Sequence, residues 1–91
     1  MISSLPAATT DVYLQRIDAS RNMARYYALS IEPNLFGQFW LVRRWGRIGS
    51  KGREKTEVLA DPGEGAERMA RLYRAKTGKG YVRATEGRSR P

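Results

Sequence analysis

The sequence predicts an α+β domain: a single antiparallel β-sheet with one α-helix packed on it. Four stretches between Val12 and Ala60 either alternate apolar with polar residues or are rich in aromatic and β-branched ones, as half-buried strands are. Glycine, proline and asparagine separate these stretches at short spacing. After Asp61, one segment carries apolar residues at helical spacing. A chain of 91 residues accommodates one such domain with one modest core.

The elements follow in order. Residues 1–11 are mostly small and polar, include Pro6, and read as a flexible lead-in. Val12–Asp18 reads as a first strand, and Ala19–Met23, with Ser20 and Asn22, as a loop. Arg25–Glu32 is a second strand, with Tyr27, Leu29 and Ile31 on one face and Tyr26, Ala28 and Ser30 on the other. Pro33 and Asn34 stop it, and Leu35–Gly37 completes a connection of hairpin type. Gln38–Trp45 is the strongest strand and reads as central, with Trp40 in the core. Gly46, Gly49 and Gly52 mark a turn-rich stretch, after which Glu54–Ala60 alternates as a fourth strand. Asp61, Pro62 and Glu64 form a helix start with a capping box. Ala66, Met69, Ala70 and Tyr73 make its apolar stripe, and Gly63 and Gly65 predict a late first turn. Gly78 caps the end, Gly80–Arg83 is a short last strand, and residues 84–91 read as a flexible basic tail. The folded domain is thus expected over residues 12–83.

Composition narrows the function. There is no cysteine and no histidine. A disulfide framework, a thiolate metal site and the commonest general base are therefore excluded. The serines have no histidine to activate them, and the carboxylates are scattered beside arginines. The expectation is a non-enzyme with no catalytic residues, no cofactor and no metal. The longest apolar run, Phe39–Val42, is far too short to cross a membrane, and the first residues lack a secretory pattern. A cytoplasmic protein with no membrane partner is the expected setting.

Charge is the most informative feature. Lysine and arginine number 17 against 9 acids, a net charge of +8, and the pI is near 10.5. Such a balance points to nucleic acid. The excess is localised. Residues 1–42 are balanced, whereas Arg43, Arg44, Arg47, Lys51, Arg53 and Lys55 stand against Glu54 alone. The glycines of this stretch do not make a phosphate-cradling loop. Lys51 precedes Gly52 instead of following a glycine, and a strand, not a helix, comes next. They read as turn residues. A tryptophan at a strand exit is ordinarily core, but Trp45 is flanked by Arg43, Arg44 and Arg47. An aromatic ring among arginines suits stacking on a base or sugar with forked contacts to phosphate.

The segment FWLVRRWGRIG resembles the defining core of the WGR domain, whose motif falls on Trp45-Gly46-Arg47, then Ile48 and Gly49. The resemblance runs from about Val12 to Val82. It includes the pair Tyr26-Tyr27 and the segment LYRAKTGKGY, with Lys76-Thr77-Gly78 and Tyr81. The segment RIDASRNMARYYALS is similar to bacterial members. The resemblance implies a DNA-binding module of the kind found as an accessory domain in poly(ADP-ribose) polymerases that respond to DNA damage. There it engages DNA ends and breaks and passes the signal to a catalytic domain. It implies that Trp45 packs on a terminal nucleotide's sugar with Arg47 at the same contact. Polymerase relatives often carry asparagine where this chain has Ala24; Asn22 and Arg25 are its neighbours here. Those relatives also continue well past the aromatic that matches Tyr81. The sequence shows no catalytic domain, so a signalling role is expected to act on a separate chain.

Together these readings predict a nucleic-acid-binding module that prefers DNA ends or breaks. The site residues are Trp45, Gly46 and Arg47, the cations Arg43, Arg44, Lys51, Arg53 and Arg25, then Asn22, and finally Lys76, Lys79 and Tyr81. Two alternatives stay open. One is a protein–protein adaptor docking on a separate chain through the same face, since Trp and Arg are also interface anchors. The other is RNA in place of DNA.

Overall fold

A computed structural model of the chain describes residues 11–84. The predicted lead-in lies outside them except for Asp11, and the predicted tail except for Ala84. The elements are β1 (Asp11–Asp18), a 3-10 turn (Ala19–Arg21), β2 (Met23–Pro33), β3 (Phe39–Arg47), β4 (Arg53–Leu59), α1 (Pro62–Thr77) and β5 (Val82–Arg83). The five strands form one sheet in the order β4-β3-β2-β1-β5. Each neighbouring pair is antiparallel. β4 and β5 lie at opposite edges, so α1, which joins them, runs across one face. The expected α+β architecture is what forms, and every expected strand is present with ends shifted by one or two residues.

The pleat sorts the side chains. Successive residues of a strand point to opposite faces, and directly paired residues share a face. The helix-covered face carries Leu14, Tyr27, Leu29, Ile31, Leu41 and Leu59, which form the core with Met69 of α1 and Tyr81. Leu14 and Leu41 are fully buried. The same sorting separates charge. Arg16, Arg25, Arg43, Arg47, Arg53, Lys55 and Arg83 all share the helix-covered face. The opposite face carries Arg44 together with Asp11, Glu32 and Glu54.

Three expectations are corrected. Trp40 is not core. It pairs with Val58 on the face away from the helix and is 37% exposed. Its neighbours made both faces of β3 look apolar, but only one receives a covering layer. Of α1, Gly65 and Met69 are buried and Leu72, Tyr73 and Lys76 half-buried, while Ala66 and Ala70 face solvent. The helix also does not start late: it begins at Pro62, with Asp61 Oδ1 accepting the Glu64 N–H at 2.9 Å. Gly65 explains why. A Cβ there would stand 2.8 Å from Ile31 Cδ1 and also collide with Leu59. This glycine is a point of close approach between helix and sheet, not a flexible break.

α1 does not reach the end of the sheet. Sixteen helical residues span about 24 Å. The eleven residues of β2 span about 36 Å. The helix N-terminus sits over Ile31 and Leu59, so the end of the sheet left open is the one where β3 leaves at Trp45–Arg47.

The close approach makes a prediction that opposes intrinsic helix propensity. Replacing an exposed mid-helix glycine by alanine ordinarily stabilises by about 1 kcal/mol. Gly65→Ala is instead expected to destabilise by about 1–3 kcal/mol through overpacking, read as a lower urea midpoint with an unchanged slope.

Candidate nucleic-acid interface

The open end of the helix-covered face is built from two cross-strand rows. In one, Arg53, Trp45, Tyr27 and Leu14 stand side by side on β4, β3, β2 and β1, with Arg83 of β5 beyond. In the next, Arg47 pairs with Arg25, and Arg25 with Arg16. Like charges in register across strands repel, and no acid is interposed in this arginine row.

Trp45 is half-buried. One side rests on Tyr27, with ring centroids 6.4 Å apart and planes tilted by 34°. Tyr27 in turn meets the edge of Tyr81 at 6.4 Å and 69°. Lys76, in the last turn of α1, places its Nζ 4.5 Å from the Tyr27 ring centre and 5.4 Å from that of Tyr81. The rings attract the ammonium. Even so, its pKa lies below the ordinary lysine value, first because burial desolvates it and then because Lys79, Arg25 and Arg43 repel its charge. Arg25, Tyr26, Trp45, Gly46, Arg47, Lys76 and Tyr81 enclose a cleft of about 300 Å³. It is walled by aromatic rings and three cations, and no carboxylate among the described residues lines it.

Local chemistry holds the cleft in shape. Gly46 lets the chain double back: a Cβ there would lie 2.7 Å from the Gly52 Cα, which is rigid backbone. The returning loop is pinned by the Tyr26 hydroxyl, which donates to the Lys51 carbonyl at 2.8 Å. Asn22, in the left-handed conformation with φ of 53°, receives the Arg47 guanidinium on its backbone oxygen at 3.3 Å and on Oδ1 at 3.5 Å. The Ile48 N–H donates to the Ala24 carbonyl at 2.8 Å. The middle residue of Trp-Gly-Arg thus serves the turn, while its neighbours face the cleft.

The predicted site residues therefore divide. Trp45, Gly46, Arg47, Arg25, Lys76 and Tyr81 converge on the cleft. Asn22 positions Arg47 without lining it. Arg53 pairs with Trp45 on the same face, and Lys79 follows the helix close enough to act on Lys76. Lys51 contributes its carbonyl to the loop clasp and leaves its side chain exposed. Arg43 lies half-buried, 3.8 Å from Glu57, which is also 2.6 Å from Arg68 of α1. That ion-pair network ties helix to sheet. Arg44 is on the opposite face, paired with Glu54, because adjacent residues of a strand point apart. Two contributors were not anticipated. Tyr27 is the floor under Trp45, and Arg16 extends the arginine row, its Nε 3.0 Å from where a Cβ of Gly80 would stand. Only the β1–β2 register brings Arg16 here.

The backbone crossing gives a direct test. Gly46→Ala is expected to cost about 1–3 kcal/mol of stability and to free the Tyr26 hydroxyl, visible as faster exchange of its proton by NMR. Tyr26→Phe should reproduce the loosened loop at about 1 kcal/mol.

Comparison with known proteins places the chain in a family. The WGR domain family matches residues 10–88. A protein of Sinorhizobium fredii, uncharacterized protein y4dW, is 49% identical over 70 residues, which is 77% of this chain and 34% of that protein. Poly [ADP-ribose] polymerase 1 of Xenopus laevis is 33% identical over 67 residues, 71% of this chain and 7% of the polymerase. Its counterpart in Gallus gallus is 30% identical over the same length and again contributes 7% of itself. The chain thus spans about a third or less of these relatives. No solved structure matches it. The family match begins one residue before β1 and ends beyond β5, so sheet, helix and cleft all lie within it, and the chain belongs to the WGR domain family.

Proposed function

We propose that this WGR domain is a non-catalytic module that binds nucleic acid, with a preference for DNA ends or breaks, through the cleft at Trp45. The observation that carries the reading is the arginine row Arg16, Arg25 and Arg47 beside Lys76, crowded together with no acid among the described residues lining the cleft. Crowded cations are relieved by a polyanion. The neighbouring half-buried Trp45 supports contact with a sugar or base, since one side is seated on Tyr27 and the other faces the cleft. A terminal nucleotide suits a walled cleft better than a continuous duplex, because its outer face is not covered by a stacked neighbour. The polymerases among the relatives are consistent with this partner. The opposite face carries three acids and one arginine and does not suit a polyanion.

A fluorescent blunt DNA hairpin and a closed circle of equal composition, titrated at two salt concentrations, test the proposal. Preferential binding to the hairpin is expected. The slope of log K against log salt should be about −3 to −4.5 for three to five phosphates. Trp45→Ala should weaken end binding by about 1–3 kcal/mol while the fold, followed by circular dichroism, persists. Equal, salt-insensitive binding to both DNAs would defeat the reading.

Lys76 adds a pH signature. A bound anion offsets the repulsion and raises the lysine pKa, so binding takes up a proton wherever the pH lies between the free and bound values. Affinity should therefore fall as pH rises through that alkaline window. Lys76→Arg should remove the fall, because a guanidinium stays charged throughout.

A further inference from the structure

The end of the sheet farthest from the cleft has a different character. The β2–β3 hairpin presents Leu35 and Phe36 at its tip, 97% and 82% exposed. The loop is not slack. Asn34 Oδ1 accepts the backbone N–H groups of Phe36 at 2.8 Å and Gln38 at 3.0 Å, and the Asn34 N–H donates to the Gln38 carbonyl at 2.9 Å. Two large apolar side chains held outward by a hydrogen-bonded loop carry a solvation cost that a covering surface would remove. Among the described residues, the charged side chains adjoining this tip in register and sequence are acids: Glu32 paired with Trp40, then Asp61 and Glu64 after Leu59. Nucleic acid and anionic membrane are repelled from such a rim. The surface that fits is an apolar cleft edged by cations.

The chain carries such a cleft itself. On the flank of α1 where Arg68 reaches Glu57 of β4 and Leu72 packs against the core, Arg68, Arg71, Leu72 and Ala75 line a cleft of about 300 Å³. These positions share one helix face through their spacing of three, four and seven residues. We propose that the Leu35–Phe36 tip of one molecule docks into the α1 cleft of a second copy, with Arg71 facing the acids around the tip. The contact joins two different surfaces and so propagates head to tail. It leaves the Trp45 cleft of each copy open. A single tip in a single cleft buries less than about 1,200 Å² in total, the range of weak and transient association. The assembly therefore forms at high protein concentration, or wherever a polyanion gathers copies together.

The test is sedimentation of the chain alone, from micromolar to near-millimolar concentration. The weight-average mass is expected to climb above 10.3 kDa with concentration. Phe36→Ser and Arg71→Glu, both at exposed positions, should each remain monomeric while keeping the wild-type circular dichroism spectrum. Mixing the two variants should then restore association up to a dimer and no further, because one retains only the cleft and the other only the tip. A wild-type mass that stays monomeric throughout would overturn the proposal and leave the tip to a different protein. Association that survives both substitutions, or a mixture that stays monomeric, would overturn it as well. DNA-end affinity of Phe36→Ser, measured separately, should equal wild type, so this outcome is independent of the nucleic-acid reading.

Discussion

One helix must cover one face of five strands, and it is too short to do so. α1 leaves β4 at one edge of the sheet and delivers the chain to β5 at the other. Along the way it seals the leucines of β1 to β4 with Met69 and a side chain-free contact at Gly65. Its length runs out over Tyr27, and the last row of the covered face, with its arginines, stays open. The proposed binding surface is thus what remains when the core has been closed. This is why a core residue, Tyr27, also floors the cleft, and why a residue of the last helical turn, Lys76, roofs it.

The two ends of the face also divide the energetic work. At the closed end, apolar burial dominates, and Glu57 sits between Arg43 and Arg68 and offsets part of their charge. At the open end, like charges are packed in register, and the proposed anion would supply what the fold omits. Such a site is kept in place by its surroundings: the Tyr26–Lys51 clasp, the Asn22 support of Arg47 and the Gly46–Gly52 crossing. These contacts are made to uncharged groups, so they fix the cations without neutralising them.

Most of the architecture could be read directly from the residues. Alternation located the strands, and the Asp61–Glu64 cap and Met69–Tyr73 spacing located the helix. What escaped depended on which face each strand would have covered. Trp40 and Trp45 look alike in a run of aromatic and aliphatic residues, yet five positions apart they point to opposite faces. The tryptophan read as core is the more open of the two, and the one read as a platform is seated on the core. Arg44 and Arg16 follow the same logic in opposite directions. A run of basic residues suggested a patch, but the pleat sends Arg44 away, while pairing with Arg25 brings in Arg16 from a distant strand. Gly65 escaped because propensity describes an isolated helix, whereas its role depends on Ile31 and Leu59 beneath it.

The parity of β3 constrains how the domain can vary over time. Substitution at a single position between Trp40 and Trp45 alters one side chain and leaves the rest in place. Loss or gain of one residue there would turn every side chain beyond it to the wrong face. Trp45 and Arg47 would leave the cleft together, and the acid-bearing face would receive them. Length changes are therefore barred from this strand far more strictly than changes of residue type. A lineage can retune the charge of the cleft by exchanging its cations. It can lengthen the domain only outside the paired rows.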